Sequence, residues 1–213
     1  ITGLREFYGR PFTLSAETLV PRPETELLVD LAISFLSTRP GPARVLDIGT
    51  GSGAIAVSIA CEVAKSHVTA SDISVDALTT AKANASSLDV LNRIDFCQSD
   101  VLEGVAGTFD VIVSNPPYIP SADIMALDRE VRDHDPLSAL DGGPDGLEFY
   151  RRIIAGAGEH LAADGALLLE FGIGQSEAVS TIARDGGFSS QEIFKDLAGL
   201  DRVMLARPQA RTL

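Results

Sequence analysis

The chain has 213 residues, enough for one domain with a full hydrophobic core, and 45% of its residues are hydrophobic. Its formal net charge of −13 is the opposite of the basic surface that nucleic-acid-binding proteins present to phosphates, so we expect no direct binding to DNA or RNA. The two cysteines form no disulfide framework, no metal-type spacing is present, and neither a signal peptide nor a membrane-length apolar run occurs. We therefore expect a cytoplasmic protein without metal or membrane contact.

Two elements precede the glycine-rich part of the chain. Residues 5–14, REFYGRPFTL, contain two short aromatic runs around a Gly-Arg-Pro step and predict a small β-hairpin. The segment 20–36, VPRPETELLVDLAISFL, predicts a helix that is entered through a proline near its first turn. Acidic residues at its N-terminal end support this interpretation.

From residue 44 onward, strands and helices alternate. We predict strands at 44–49, 67–72, 93–100, 109–115, 165–172, 188–195 and 202–207, and helices at 52–64, 74–86, 147–161 and 175–185. This alternation is typical of a doubly wound α/β fold, a seven-stranded and mostly parallel sheet with helices on both faces. A short turn joins the last two strands, which we expect to form an antiparallel hairpin at one edge.

The irregular stretch 116–146 is unusually long for a compact domain, and loops of this length are often functional. It contains the sequence DHD at 133–135. We interpret that sequence as a solvated acidic loop and not as a metal site.

The first strand of the alternation runs into a glycine-rich loop and directly on into a helix, LDIGTGSGAIAVSIA. Open α/β sheets bind ligands at the carboxyl ends of their strands, and glycine lets a ligand approach the backbone closely. The spelling Gly49-x-Gly51-x-x-Ala54, with Asp72 further on, satisfies the loose dinucleotide fingerprint, so NAD is a competing ligand. Asp47 and the three alternating glycines favour S-adenosylmethionine, because an acid beside free N–H groups suits an amino-acid moiety better than a diphosphate.

Acidic residues also end the next two strands. Asp72 ends the strand at 67–72, where its carboxylate can accept both ribose hydroxyls, and Asp100 ends the strand at 93–100, where it can accept from an adenine amino group. Val101 follows and offers apolar packing for the adenine ring. One acid at a strand end is usually a cap or turn residue, but three around one glycine loop favour a ligand site.

The fourth strand ends in SNPPYI, which is a stiff loop because neither proline donates a hydrogen bond and Pro117 holds Pro116 out of helical space. The Asn115 side-chain oxygen and the Pro116 carbonyl can each accept one N–H of a planar NH2 group and favour the pyramidal geometry that frees its lone pair. Tyr118 can pack on that group. We therefore predict Asn115, Pro116 and Tyr118 as catalytic residues that position a nitrogen for methyl transfer.

The glycine loop followed by SNPPYI resembles class I methyltransferases that modify planar NH2 nitrogens. The segments REFYGRPF, LVPRPETELLVD, ALDGGPDGLEFYRRI, LLLEFGIGQ and DLAGLDRVMLA narrow this resemblance to the HemK/PrmC family, the N5-glutamine methyltransferases of peptide chain release factors. The likeness extends over essentially the whole chain. It implies a Rossmann-like class I methyltransferase fold, with residues 23–213 as the catalytic domain and residues 1–22 as a β-hairpin and linker.

The resemblance also implies an activity. S-adenosylmethionine would be the methyl donor, S-adenosylhomocysteine the product, and the glutamine of the Gly-Gly-Gln motif of release factors the acceptor, a modification that supports translation termination. The implied cofactor-binding residues are Asp47, Gly49, Thr50, Gly51, Ser52, Gly53, Asp72, Asp100, Val101 and Asn115. The implied substrate-binding residues are Arg22, Pro23, Glu24, Asn115, Pro116, Pro117, Tyr118 and Ile119.

Two features depart from the family pattern. Members usually carry an N-terminal helical domain that helps bind the release factor, and we expect none in these 213 residues. Some members have an aromatic residue where this chain has Val101, which would stack less well on adenine. Since no long apolar surface helix stands out, we expect a monomer.

Alternative functions remain open at this stage. A nucleic-acid N-methyltransferase acting on adenine N6 or guanine N2 also fits the NPPY sequence, but the net charge and the lack of a basic, aromatic-rich segment count against it. An NAD(P)-dependent oxidoreductase would need a catalytic Tyr/Lys or His set near the nicotinamide, and the sequence shows none. A nonenzymatic nucleoside sensor would not need the NPPY loop.

Overall fold

A seven-stranded sheet forms the centre of the molecule in the computed structural model, which describes residues 3–132 and 135–209. The strands in chain order are β1 (Leu4–Phe7), β2 (Arg10–Thr13), β3 (Ala43–Ile48), β4 (Ser66–Asp72), β5 (Ile94–Gln98), β6 (Phe109–Ser114), β7 (Leu161–Glu170), β8 (Ser190–Lys195) and β9 (Asp201–Arg207). As predicted, β1 and β2 pair as a separate antiparallel hairpin, and the other seven strands form the sheet.

Helices lie between the strands. They are α1 (Glu26–Ser37), α2 (Ala54–Glu62), α3 (Val75–Ser87), α4 (Arg129–Arg132), α5 (Leu137–Leu140), α6 (Glu148–His160) and α7 (Ser176–Asp185), with 3₁₀ turns at Pro23–Thr25, Leu91–Arg93 and Ser121–Ala126. Ser74 caps α3, because its Oγ accepts a hydrogen bond from Ala77 N at 3.2 Å. Among the described residues, no helix has both the length and the apolar character needed to span a membrane.

The strand order across the sheet is β5-β4-β3-β6-β7-β9-β8. Neighbours from β5 to β7 are parallel, whereas β9 is antiparallel to both β7 and β8. This confirms the predicted mostly parallel sheet with an antiparallel hairpin at one edge. The chain leaves β3 toward β4 on one side and later returns to β6 on the other. A crevice therefore opens at the carboxyl end of β3, where open α/β sheets bind ligands.

The hydrophobic core lies in two layers, one on each face of the sheet. Because successive strand side chains point to opposite faces, Val111 and Val113 of β6 join the cluster beneath α1 and α2. Ile112, which lies between them, joins the cluster beneath α6 and α7. The central strands are buried on both faces, which explains why they read as continuous apolar runs.

The β1–β2 hairpin packs on the first of these layers. Phe7 and Phe12 are buried there with their rings edge to face and 6.1 Å between centroids. The Asn84 side chain of α3 bonds to both the N–H and the carbonyl of Thr13 at 2.9 Å, which fastens the end of the hairpin. The division of the chain into residues 1–22 and 23–213 stays a prediction.

Several predicted boundaries differ from the structure. β5 ends at Gln98 and β6 at Ser114, so Asp100 and Asn115 lie just beyond their strands. β7 begins at Leu161 and not at residue 165, because Leu161 already pairs with Phe109. The ladder then shifts register, so residues 162–165, which look like a turn in the sequence, belong to an irregular part of the strand.

The stretch 116–146 is largely irregular, as predicted. Its described part contains only short helical segments and one isolated parallel bridge between Ile119 and Asp141. It follows β6 at the carboxyl edge of the sheet and therefore borders the crevice.

Candidate active site

A cavity of about 480 Å³ opens at the carboxyl ends of β3, β4 and β6. The glycine loop after β3 and the loop after β6 line its floor. The segment before α1, the stretch 116–146 and one face of α6 form the surrounding walls. This volume is ample for a nucleoside-sized ligand.

The loop between β3 and α2 borders one end of the cavity. Gly49, Gly51 and Gly53 have φ angles of 71°, 54° and 80°, in the left-handed region that favours glycine. Gly53 also packs closely on α3, since a Cβ atom there would lie 3.0 Å from the Cβ of Ala81. Gly49 and Gly51 line the cavity with nothing within 4 Å of where a side chain would start, so their backbone is open to a ligand.

Asp47 of β3 is fully buried beneath this loop. Its Oδ2 accepts from Thr50 Oγ1 at 2.6 Å and from Ala56 N at 3.2 Å, and Oδ1 makes no hydrogen bond within the described chain. Burial raises its pKa to about 7, although these two hydrogen bonds favour the ionised form. The described residues of the cavity wall do not include Asp47, Thr50, Ser52 or Gly53. Asp47 therefore lies beneath the loop, and Thr50, Ser52 and Gly53 belong to the loop but not to the described cavity wall. Direct contact of these four residues with a cofactor stays a prediction.

Asp72, the last residue of β4, faces the glycine loop from the side and lines the cavity. Its Oδ2 accepts from Gly51 N and its Oδ1 from Ser74 N, both at 2.9 Å. A carboxylate has about four lone-pair sites, so both oxygens can still accept from ligand hydroxyls. The next residue, Ile73, is 60% exposed and lines the same wall, although the sequence analysis did not select it.

Asp100 and Val101 line another wall together with Phe149 and Arg152 of α6. Asp100 Oδ1 forms an ion pair with Arg152 Nη2 at 2.8 Å. Val101 has a φ of 55°, which β-branched residues rarely adopt, and Ser99 Oγ donates to its carbonyl at 3.0 Å. Phe149 adds an aromatic surface to this cavity. The sequence analysis did not select Phe149 or Arg152 as site residues, because their position at the cavity depends on how α6 packs on the sheet.

The pairing of β3 with β6 brings two of the predicted motifs together. Ile48 and Ser114 are register partners at the ends of these parallel strands. The Ser114 hydroxyl also donates to the Ile48 carbonyl at 2.8 Å. The following residues, Gly49 and Asn115, consequently leave the sheet side by side, and both line the cavity.

Asn115 is held by a residue of the segment before α1. Its Nδ2 donates to Thr25 Oγ1 at 3.1 Å, and Thr25 is buried. This bond leaves Asn115 Oδ1 as the acceptor of the side chain. Pro116 and Pro117 line the cavity beside it. The loop thus carries a side-chain acceptor followed by a rigid backbone.

Tyr118 lies mostly buried behind these prolines, and burial raises its pKa. Its carbonyl accepts from Gln175 Nε2 at 3.0 Å, and Gln175 Oε1 accepts from Gly172 N at 2.9 Å. Gly146 has a φ of 72°, and a Cβ atom there would collide with the Tyr118 carbonyl. Ile119 bonds to the same turn region through its bridge to Asp141. The GGPDG and GIGQ sequences therefore support the loop after β6.

The PRPETE sequence contains Thr25, which binds Asn115, but Arg22, Pro23 and Glu24 are not among the described residues that line the cavity. Arg22 forms an ion pair with the buried Asp135, whose Oδ1 also accepts from Val20 N at 3.1 Å. Pro23 and Glu24 are exposed and begin the 3₁₀ turn that leads into α1. The burial of Asp135 corrects the expectation of a solvated loop at DHD for this residue, and the other two residues of that sequence lie outside the described residues. Within the described ranges, no cluster of His, Cys, Asp or Glu could hold a metal ion.

Glu170, the last residue of β7, is a buried carboxylate that the sequence analysis missed. Burial raises its pKa to about 7, while the Thr25 side chain, the charge of Arg202 and the Asn115 side chain favour ionisation. The available signal was an acid that ends an apolar strand in LLLEFG. Its proximity to Asn115 could not be derived, because it depends on the pairing of β6 with β7.

Comparison with known proteins identifies the family. Residues 25–129 match the family model described as "Methyltransferase small domain". The release factor glutamine methyltransferase of Agrobacterium fabrum is 47% identical over 210 residues, covering 97% of this chain and 73% of the relative. That of Neisseria gonorrhoeae is 45% identical, covering 97% of this chain and 75% of the relative. The chain belongs to the release factor glutamine methyltransferase family.

A solved structure supports the same assignment for the fold. The release factor-specific protein-(glutamine-N5) methyltransferase of Alicyclobacillus acidocaldarius superposes with a TM-score of 0.55 at 35% identity, covering 89% of this chain and 95% of that chain. The resemblance and the class I methyltransferase fold expected from the sequence are thereby confirmed. As a member of the release factor glutamine methyltransferase family, the protein is a methyltransferase, and the family implies S-adenosylmethionine as methyl donor.

Proposed function

We propose that the protein transfers a methyl group from S-adenosylmethionine to the side-chain amide nitrogen of the glutamine in the Gly-Gly-Gln motif of a peptide chain release factor. The observation that carries this proposal is the pairing of Ile48 with Ser114, which brings the glycine loop and the loop that begins at Asn115 to one cavity. The names of relatives up to 47% identical support the same acceptor.

The glycine loop and Asp72 fit the polar parts of the donor. Gly49 and Gly51 offer open backbone, which suits the charged amino-acid end of S-adenosylmethionine. Asp72 is fixed by two backbone N–H groups and keeps lone pairs for the two ribose hydroxyls. We assign Asp47 to holding the loop in shape, together with Thr50.

Ser52 and Gly53 complete the support of that loop. The Ser52 carbonyl accepts from Asn84 Nδ2 at 2.8 Å, and Gly53 permits the close approach to α3. Both residues therefore contribute to donor binding through the backbone of the loop and not through side-chain contact.

The apolar wall of the cavity fits the adenine ring. Ile73, Val101 and Phe149 line it, and Phe149 supplies the aromatic face that a valine at position 101 lacks. Asp100 keeps one carboxylate oxygen outside its bond to Arg152, and we assign that oxygen to the adenine amino group.

Asn115 and Pro116 would activate the acceptor amide. An amide nitrogen is a weak nucleophile because its lone pair is delocalised into the carbonyl. When Asn115 Oδ1 and the Pro116 carbonyl each accept one N–H, they orient the NH2 group and stabilise the positive charge that develops on nitrogen. Bound S-adenosylmethionine supplies a sulfonium methyl group, so that the C–S bond breaks with its electron pair on sulfur as the new C–N bond forms. The nitrogen then releases a proton to water without a strong base.

The remaining predicted substrate residues surround this position. Pro117 lines the cavity and would bound the pocket for the planar amide, while Tyr118 would support the loop from behind the prolines. Ile119 fixes the end of the loop through its bridge to Asp141. Arg22, Pro23 and Glu24 belong to the segment that supplies Thr25 to Asn115. We assign them to the rim over which the glutamine enters.

The acidic charge of −13 supports a protein partner over DNA or RNA. We further propose that the enzyme acts as a monomer in the cytoplasm, where translation termination takes place. The nucleic-acid methyltransferase alternative is not favoured, since the close relatives are named for a glutamine acceptor.

A labelled methyl donor tests the proposal directly. The protein is incubated with the donor and a bacterial release factor, or with the same factor carrying Gln→Ala in its Gly-Gly-Gln motif. We expect label in the first factor and none in the second. Equal labelling of both, or label only in added DNA or RNA, would overturn the proposed acceptor.

A further inference from the structure

A buried carboxylate lies beside the loop of residues 115–119, here called the acceptor loop, and has no role in the transfer described above. Glu170 ends β7, and only 2% of its surface is exposed. β6 and β7 are parallel, and Ser114 is the register partner of Leu169, so Glu170 lies level with Asn115. Charged side chains are rarely buried to this extent without a partner or a function.

Thr25 connects Glu170 with the acceptor loop. Its Oγ1 accepts the hydrogen bond from Asn115 Nδ2 at 3.1 Å, which leaves its own hydroxyl hydrogen for a second partner. Of the interactions that favour the ionised Glu170, Thr25 contributes most, then Arg202, then Asn115. Glu170 Oε2 still makes no hydrogen bond within the described residues. Oε2 therefore has spare capacity to accept a hydrogen bond.

The surrounding charges do not neutralise Glu170. The charged and titratable groups that interact with it are Glu24, Arg202, Tyr118 and Tyr150. Among these, Arg202 is the cation, but its Nη2 pairs with Asp196 Oδ2 at 3.2 Å and its Nη1 donates to the Phe171 carbonyl at 3.4 Å. No ion pair of Glu170 itself occurs in the described part of the chain. Its charge is consequently available to the acceptor loop.

We propose that Glu170 is a positioning residue of the acceptor loop: as a carboxylate it holds Thr25 and Asn115 as donors, so that Asn115 Oδ1 faces the substrate amide. This inference rests on the proposed function, because it concerns the same amide. With Asn115 Nδ2 engaged behind the loop, the side chain cannot turn its NH2 group toward the substrate NH2, which would place donor against donor.

The charge of Glu170 would add to this orientation. An anion that accepts from an amide N–H polarises the amide and makes its oxygen a stronger acceptor, because hydrogen bonds in a chain reinforce each other at low local dielectric. The same negative charge stabilises the positive charge that develops on the substrate nitrogen. Glu170 touches neither substrate nor donor in this arrangement, so it acts through Asn115.

The arrangement predicts a pH dependence of turnover. Burial raises the pKa of Glu170 to about 7, and the positioning role requires the ionised form. Turnover at saturating donor and release factor should therefore be about half-maximal near pH 7, approach its full value toward pH 8 and fall toward pH 6. Asp47 also has a pKa of about 7, but it lies under the donor loop. Saturating donor removes its effect on affinity and leaves that of Glu170.

The test compares steady-state kinetics of the wild type with Glu170→Gln, Glu170→Asp and Thr25→Val between pH 6 and 8. For Glu170→Gln we expect kcat at pH 8 to fall about tenfold or more, with KM for the release factor within about twofold and no decline toward pH 6. Glu170→Asp should keep the acid decline, because it keeps a charge. Thr25→Val leaves the Glu170 carboxylate in place but removes the hydroxyl that links it to Asn115, so this variant should also lower kcat.

Glu192→Gln is the matched control. It makes the same change at an exposed position of β8, 4.0 Å from Arg207, and should match the wild type. An inactive wild type would overturn the proposed function and this inference with it. An active wild type whose kcat and acid decline persist in Glu170→Gln overturns only the role of Glu170. If Glu170→Gln does not fold, unchanged kcat in Thr25→Val overturns that role.

Discussion

Asp47 and Glu170 lie under opposite halves of one cavity, and burial raises the pKa of each to about 7. They differ in where their partners come from. Asp47 accepts hydrogen bonds from Thr50 and Ala56, within the same strand–loop–helix unit, whereas the side chains that favour ionisation of Glu170 come from distant segments. The proposed donor half of the site, the glycine loop with Asp47 and Asp72, is therefore built by one contiguous stretch of sequence. The proposed acceptor half, the loop that begins at Asn115 with Thr25 and Glu170, is assembled from segments distant in sequence.

Substitutions in the two halves should therefore have different kinetic effects. A change in the acceptor half should alter the chemical step while the donor still binds, because the two halves are held by different hydrogen bonds. Thr25 and Gln175 hold the loop after β6, whereas Asp72 is held by backbone N–H groups of its own half. A change in the donor half should weaken donor binding and leave turnover at saturation largely intact. Kinetics that separate kcat from donor affinity therefore test whether the two halves act independently.

Asn115→Ala should have the largest effect. It removes the side-chain acceptor of the substrate amide and should lower kcat by about 10³-fold, the cost typical of one preorganised hydrogen-bonding group at a reacting centre. The dissociation constant for S-adenosylmethionine, measured by calorimetry, should change by less than about threefold. Equal losses of donor affinity and turnover would show that Asn115 belongs to the donor half instead.

Gly146→Ala should disturb the loop that begins at Asn115 without changing a residue of that loop. A Cβ atom at this position would collide with the Tyr118 carbonyl, and the φ of 72° adds strain. We expect kcat to fall about 100-fold, since the loop after β6 must shift, with donor affinity nearly unchanged. Gly158→Ala in α6 is the matched control, because nothing lies within 4 Å of its Cβ position. It should keep activity and raise the unfolding free energy by about 0.5–1 kcal/mol.

The fold itself could be predicted from the sequence. The alternating apolar runs gave the seven strands, the parallel majority and the terminal hairpin, because periodicity is a local property. The position of β9 between β7 and β8 could not be derived, since strand pairing depends on contacts distant in sequence. The irregular part of β7 was missed for the same reason: its turn-like residues continue a strand only because Leu161 pairs with Phe109.

The two halves of the site were predictable to different degrees. Gly49, Gly51 and Asp72 could be selected from the sequence because one motif and its spacing predict a ligand-binding loop. In the acceptor half the NPPY sequence was equally clear, but the residues that hold this loop in place could not be identified from the sequence. The sequence directed attention to Arg22, Pro23 and Glu24, whereas the side chain that binds Asn115 belongs to their neighbour Thr25.

Asp72→Asn should affect the donor half selectively. The neutral amide keeps the size of the side chain but weakens the charge-assisted hydrogen bonds to the loop and to the ribose hydroxyls. We expect donor affinity to fall about 10- to 50-fold, with kcat at saturating donor within about threefold. A collapse of kcat with normal donor affinity would contradict the assignment of Asp72 to the donor.

The smallest expected effect is on the pH dependence of the unfolding free energy, to which the two buried carboxylates should contribute equally. Each folded-state pKa of about 7 lies above the ordinary value, 3.8 for Asp47 and 4.5 for Glu170, so the folded state binds the proton more tightly than the unfolded chain. The unfolding free energy should therefore decrease as the pH rises from 6 to 8, by about 1.4 kcal/mol for each carboxylate. Chemical denaturation at both pH values measures this change. Asp47→Asn and Glu170→Gln should each remove about one such contribution and the double variant both, because the two groups lie under separate halves of the cavity. A double variant that keeps the pH dependence of the wild type would show that other groups carry it.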